Sequence, residues 1–339
     1  MPDTRFDVLC IGNAIFDVLA HVEEDFLVSE GLTKGSMRLV DTEESLRLYG
    51  KVGAAVRIPG GCAGNTASGV ASLGARAAFV GKVAADELGD AYGHDMRGAG
   101  IHFATPALKD GAPTARSIIL ITPDGERTMN TYLGACHQLT PADIKEDEIG
   151  AATLTYMEGY LWDPPEAKKA FVTAAHYAHK HERATAFTLS DPFCVGRYRD
   201  EFLDLMRSKT IDYVFANVEE LKSLYQTQDF AAAVQQVAKD CELAAVTMGA
   251  DGAMVVYDGE VITVPAFPVD KVVDATGAGD LFASGFLLAV ARGQDLQMAL
   301  RAGCLAASEV ISHIGARPVR DLQQMVREHD IQLDRLVDA

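Results

Sequence analysis

The sequence predicts an α/β fold: a central, mostly parallel sheet covered by helices on both faces, with a small β-rich lid. Three observations carry this. Strand-length runs of apolar and β-branched residues recur along the chain. Helix-period segments alternate with several of them, most regularly between residues 150 and 250, at the roughly thirty-residue spacing that βαβ units require. Two stretches, 14–60 and 104–135, break this rhythm with β-like segments, short turns and few helix signals.

Taken in order, the strand candidates are 6–12, 77–83, 116–122, 153–159, 185–190, 212–217, 244–249, 253–259 and 261–267. Near-continuous hydrophobicity in such runs points to strands buried on both faces. The helix candidates are 65–73, 87–98, 165–182, 199–208, 230–241, 279–292, 295–312 and 319–328. No Pro/Gly/Ser-rich linker sets the two irregular stretches apart. They are therefore expected to form a lid on one domain spanning 1–339, rather than a second domain.

Composition narrows the function. Forty-eight acidic residues against thirty basic ones give a formal net charge of −18 over 339 residues. Such a field repels phosphate backbones and anionic membranes, so neither nucleic acid nor membrane is expected as a partner. The N-terminal stretch is interrupted by Asp7 and Asp17 and lacks a basic region, so it does not read as a signal peptide. Six scattered cysteines without a C-x-x-C pair suggest reduced thiols in a cytoplasmic protein, and no Cys or His spacing suggests zinc.

An acidic protein that binds phosphates needs a local positive site, and one segment provides it. Asp274-Ala-Thr276-Gly277-Ala278-Gly279-Asp280 runs directly into a helix with Phe282, Phe286, Leu287 and Val290 on one face. The unpaired N–H groups of residues 277–280 would form an anion hole without any basic side chain. Asp280 beside it is placed to take the proton of a hydroxyl that attacks a phosphoryl group.

Three weaker signals accompany it. Gly60-Gly61-Cys62-Ala63-Gly64-Asn65 allows a small ligand to approach the backbone, with Asn65 offering a donor and an acceptor to vicinal hydroxyls. By itself it reads equally as a turn with Asn65 as helix cap. Asp17, between Phe16 and Val18 after the first strand, suits a sugar diol or a surface edge. Asn217 and Glu220, at the carboxyl end of a strand, suit a hydrated Mg²⁺ or a helix cap. No G-x-x-x-x-G-K-S/T, G-x-G-x-x-G after the first strand, H-E-x-x-H or G-x-S-x-G is present.

Together, in this order, these segments resemble the ribokinase/PfkB carbohydrate-kinase family. The likeness extends over nearly the whole chain, with Ala275 where the family's second signature has Thr. It implies a ribokinase-like fold, ATP and Mg²⁺, and allows an activating K⁺ at Asp274 and Thr276. It implies that Asn13, Asp17, Gly60, Gly61 and Asn65 hold the acceptor and that Asn217 and Glu220 serve Mg²⁺ and phosphates. Thr247, Gly249 and Gly252, with Thr276, Gly277 and Gly279, would border ATP.

Segments 125–139, 156–167 and 188–206 are more similar to adenosine kinases than to hexose kinases. On that likeness Arg127 would reach the transferring phosphoryl group. Leu133, Ala135 and Cys136 would line a nucleoside pocket, and Tyr160 and Trp162 would add a stacking wall or pack in the core. The expected activity is ATP-dependent phosphorylation of a ribonucleoside at its primary hydroxyl, adenosine at O5′ first. A PfkB-type sugar kinase and a non-catalytic nucleoside sensor are the alternatives, and the chain is expected to be a monomer or a homodimer.

Overall fold

A computed structural model describes residues 4–335. Its larger sheet has eight strands, in the order β13 (Glu260–Val264), β12 (Ala253–Tyr257), β11 (Leu243–Thr247), β10 (Tyr213–Asn217), β9 (Ala184–Thr188), β8 (Ala152–Glu158), β1 (Phe6–Ile11) and β5 (Ala77–Val80). From β11 to β5 every pairing is parallel, and β12 and β13 add an antiparallel edge. The strands are apolar on both faces because both faces are covered: every residue of β1 and β5 is buried.

Helices Cys62–Ser72, Ala278–Ala291 and Leu296–Val310 form one covering group, which packs on β1, β8, β10 and β12. Helices Pro165–Lys180 and Phe230–Asp240 contact β8, β9, β11 and β12. The first group packs closely because its residues are small. A Cβ at Gly69 would collide with Ser284, and one at Gly285 with the Ala302 carbonyl.

The second sheet has five strands, in the order β3 (Met37–Leu39), β7 (Arg127–Tyr132), β6 (Ala115–Ile121), β2 (Ile15–His21) and β4 (Ala55–Pro59). It draws on the two stretches that break the α/β rhythm. The turn Pro123-Asp124-Gly125 joins β6 to β7, with the Thr122 hydroxyl donating to Asp124 at 2.7 Å. The run at 116–122 forms β6 of this smaller sheet, as its place within 104–135 led one to expect.

Other expectations are corrected in detail. Residues 14–60 also hold two helices, Glu24–Ser29 and Thr42–Lys51, the second capped by Asp41. Their Leu27 and Leu48 cover one face of the small sheet over Val18, Ala20, Ile118 and Leu120. The helix expected at 199–208 is the second half of Pro192–Arg207: the backbone leaves helical geometry at Tyr198, and a first segment, capped by Asp191 accepting from the Cys194 N–H, precedes it. Helix Cys62–Ser72 starts three residues before the expected 65, so Asn65 lies inside its first turn and Gly61 is the cap. All six cysteines are unpaired, and no described helix is long and apolar enough to cross a membrane.

Candidate active site

Helix Ala278–Ala291 is held against the main sheet by aromatic packing: Phe282 and Phe286 lie 6.4 and 5.5 Å from Phe215 of β10, centroid to centroid. That contact fixes where the helix N-terminus points. Gly277 caps it at φ 81°, a left-handed conformation that favours glycine. A Cβ there would also lie 2.8 Å from the Ala316 Cα. Gly279 is open to solvent, with nothing near a Cβ position. The first-turn amides have no acceptor within the helix; Ala278 N donates to the Ala275 carbonyl at 3.2 Å, so the loop presents the amides of Gly279 and Asp280 and the positive helix end to the cleft.

Asp280 sits on this turn, half-buried. Its carboxylate accepts from Asn65 Nδ2 at 2.9 Å, and its backbone carbonyl accepts from the Thr66 hydroxyl at 3.1 Å. Burial pushes its carboxyl up to about 6, with the Asn65 and Cys62 hydrogen bonds opposing. It is ionised at neutral pH and basic enough to accept a proton.

The Gly60-to-Asn65 segment and Asp17 come together beside it. Asp17 projects from β2, its Oδ2 within 2.6 Å of where a Cβ on Gly60 would stand. Gly61, at φ 86°, passes so close to the Asn13 carbonyl that a side chain would collide. Burial raises Asp17 to about 7, with Arg317 and Arg127 opposing and Asp280 and Asp274 reinforcing the rise. Asn13 and Asn65 are 3 % and 4 % exposed, and the Oδ1 of each is buried without a partner.

The carboxyl ends of the parallel strands form the other wall. Asn217 ends β10 and pairs in register with Thr247 at the end of β11, with Gly249 and Gly252 in the turn to β12. Asn217 and Glu220 are engaged with each other. Glu220 accepts from Asn217 N at 3.0 Å and Nδ2 at 2.6 Å, while Asn217 Oδ1 accepts from Glu220 N at 2.8 Å. This capping box leaves no unengaged carboxylate for direct coordination, and burial raises Glu220 to about 7. The pair therefore does not fit Mg²⁺ as inner-sphere ligands.

Arg127, on β7 of the small sheet, reaches across to the anion-hole loop. Its Nη2 donates to Asp274 Oδ2 at 2.8 Å and its Nη1 to the Thr276 hydroxyl at 3.1 Å. Asp274 also accepts from Gly315 N at 2.9 Å and from Thr276 N and Oγ1 at 3.1 and 2.7 Å. Burial alone would raise Asp274, but these donors and the Arg127 charge hold it below the ordinary carboxylate range. With both oxygens engaged, Asp274 and Thr276 do not fit a K⁺ in this arrangement.

The expected pocket residues divide. Leu133 is half-buried at the end of β7. Ala135 and Cys136 are fully buried, and the Cys136 thiol donates to the Ala14 carbonyl at 3.3 Å, so both are packing residues. Trp162 is a core residue against Phe171, Phe187 and Phe202, and Tyr160 donates to Asp191 at 3.0 Å. Neither makes a stacking wall in this structure. Register places Val56, Leu19, Ile119, Met129 and Met37 side by side across the small sheet, on the same face as Asp17 and Arg127.

One residue escaped the sequence reading. Glu158, at the end of β8, is 1 % exposed and lies against Asn13 and Ala63. Its presence within Tyr156-Met-Glu158-Gly159 carried no local sign, because its partners come from other elements.

The arrangement can orient a hydroxyl on Asp280 while the adjacent amides receive an anion. The model of the pfkB family carbohydrate kinases matches residues 8–322. The chain is similar to an adenosine kinase structure from Sinorhizobium meliloti, at 52 % identity and TM-score 0.90, covering 96 % of this chain and 99 % of that one. It is also similar to a probable sugar kinase structure from Rhizobium etli, at 51 % identity and TM-score 0.91, covering 97 % and 100 %. Adenosine kinase 2 of Arabidopsis thaliana is 25 % identical over 91 % of this chain and 94 % of its own length. With a family model matched over most of its length, the chain belongs to the pfkB carbohydrate kinases.

Proposed function

We propose that this protein is an ATP-dependent kinase that phosphorylates the primary hydroxyl of a ribonucleoside, adenosine at O5′ first. The observation that carries the reading is the 52 % identity with the Sinorhizobium meliloti adenosine kinase along nearly the full chain. The apolar row on the cleft face of the small sheet supports it, because a purine has a large apolar face to bury there and a free sugar does not. The likeness to the Rhizobium etli probable sugar kinase keeps a sugar acceptor as the second reading.

Asp17, with the unpartnered Oδ1 atoms of Asn13 and Asn65, offers acceptors to the ribose hydroxyls. Asp280 accepts the proton of the attacking hydroxyl. The first-turn amides of the helix at 278 face the charge that gathers on the transferring phosphoryl oxygens. Arg127 would exchange Asp274 for the phosphoryl group as it arrives. Mg²⁺ bound with ATP would supply charge neutralisation at the phosphates, with Asn217 and Glu220 reaching it through water.

An ADP-release screen across nucleosides and sugars tests the acceptor. The expected result is kcat/KM for adenosine at least tenfold above ribose and fructose, since burying a purine is worth about 1.4 kcal/mol or more. A sugar that outperforms adenosine would transfer the assignment to the second reading.

A further inference from the structure

Behind the anion hole, one buried side chain ties a loop together. Glu309 lies near the end of helix Leu296–Val310 and is 1 % exposed. The chain then runs through residues 311–320 before helix Leu322–Glu328 begins. Glu309 Oε1 accepts from Val319 N at 3.0 Å and from Arg320 N at 2.8 Å. His313 Nε2 lies 3.1 Å from the same oxygen, and a carboxylate can only accept, so the ring donates to it. A single oxygen thus gathers both ends of the loop. The other, Oε2, is buried without a partner. An orphaned buried oxygen costs stability, so stability alone does not account for a glutamate here.

Between its tied ends the loop backs the turn that opens helix Ala278–Ala291. Val273 N donates to the Ile311 carbonyl at 2.8 Å, and Gly315 N donates to Asp274 Oδ2 at 2.9 Å. Ala316 fills the space beside Gly277: its Cα and its carbonyl oxygen would lie 2.8 and 2.9 Å from a Cβ there. The loop is therefore in backbone contact with the turn, and a movement of the loop is a movement of its support.

We propose that Glu309 is a positioning residue for phosphoryl transfer. By tying His313, Val319 and Arg320 together it holds Gly315 and Ala316 against Asp274 and Gly277, and so fixes the turn that presents the Gly279 and Asp280 amides. It does so without touching either substrate. Displacing such donors by about 1 Å can cost up to about 10² in rate. Acceptor affinity, which depends on Asp17, Asn13 and Asn65, is left as it was. The inference rests on the kinase reading of this site but not on adenosine, because the amides serve the phosphoryl group whatever the acceptor.

Glu309→Ala and Glu309→Gln test it, assayed well below their melting temperatures with the best acceptor from the ADP-release screen. Glu309→Ala leaves three donors without their oxygen, and kcat should fall about tenfold while KM for the acceptor stays within twofold. Glu309→Gln keeps an oxygen for the two amides and should hold kcat within about threefold of wild type. A kcat for Glu309→Ala within twofold of wild type would overturn the proposal whatever happens to Tm, since that is the pattern of a residue serving stability alone. Glu309→Gln as impaired as Glu309→Ala would overturn it too, because the tying oxygen is still present. Should Glu309→Ala not fold, His313→Ala, which frees the start of the loop, must lower kcat at least threefold at an unchanged acceptor KM, and a smaller loss overturns the proposal. If the wild type prefers a sugar, only the nucleoside reading falls.

Discussion

The two sheets are built on different plans. In the main sheet β1, β5 and most of β8 are buried on both faces, and their side chains join one core that runs through the helices on either side. In the small sheet β7 alternates half-buried and buried positions, β3 and β4 have exposed positions, and seven buried residues form the core beneath one face. The other face looks onto the cleft. Continuous burial makes a platform that resists local opening, while a small one-sided core leaves a sheet able to open at lower cost. The chemistry is divided in the same way. Asp280 and the anion hole stand on the platform, and Asp17 and Arg127 belong to the small sheet.

The sharpest test of this division is Asp280→Asn. With the platform intact, the variant should fold and bind ATP as before, yet lose kcat by about 10² or more, the usual scale for a general base. In the wild type the carboxyl stands at about 6. The base works as the carboxylate, so activity is present above that pH and declines as pH falls through it. Asp17, at about 7, titrates beside it, and the acid limb should span both values as a coupled pair. Activity of Asp280→Asn within threefold of wild type would refute the assignment.

A smaller effect is expected at the end of β7. Leu133→Asp puts a charge beside the apolar row, and nucleoside use should drop at least tenfold in kcat/KM while any sugar use survives. Parallel loss of both would show that Leu133 supports the fold rather than the base pocket.

The mildest prediction concerns the small core. Ile118→Ala should speed hydrogen exchange a few-fold in residues 15–59 and 115–132, with little change in β1, β8 and β10. Nucleoside binding should slow exchange in the same two segments of the wild type if they close over the acceptor. Exchange that changes equally in both sheets would erase the distinction between them.

The sequence by itself determined the alternation of buried strands and helices, the excursion of 14–60 and 104–135, and the glycine turn that opens the helix at 278. Each is written in neighbouring residues: hydrophobic period, turn chemistry and helix start signals are local properties. The helices at 24–29 and 42–51 were less legible, because they are short and their apolar faces are matched only to the small sheet. What the tertiary structure alone decided is how each buried charge is compensated. Asn13 and Ala63 meet Glu158 from 145 and 95 positions away, and Arg127 meets Asp274 from 147. Asn217 and Glu220 spend their oxygens on each other, and Cys136 turns into the core toward Ala14. A buried polar group must find a partner. Which partner it finds depends on what the fold brings within about 3 Å, and no local pattern of residues records that.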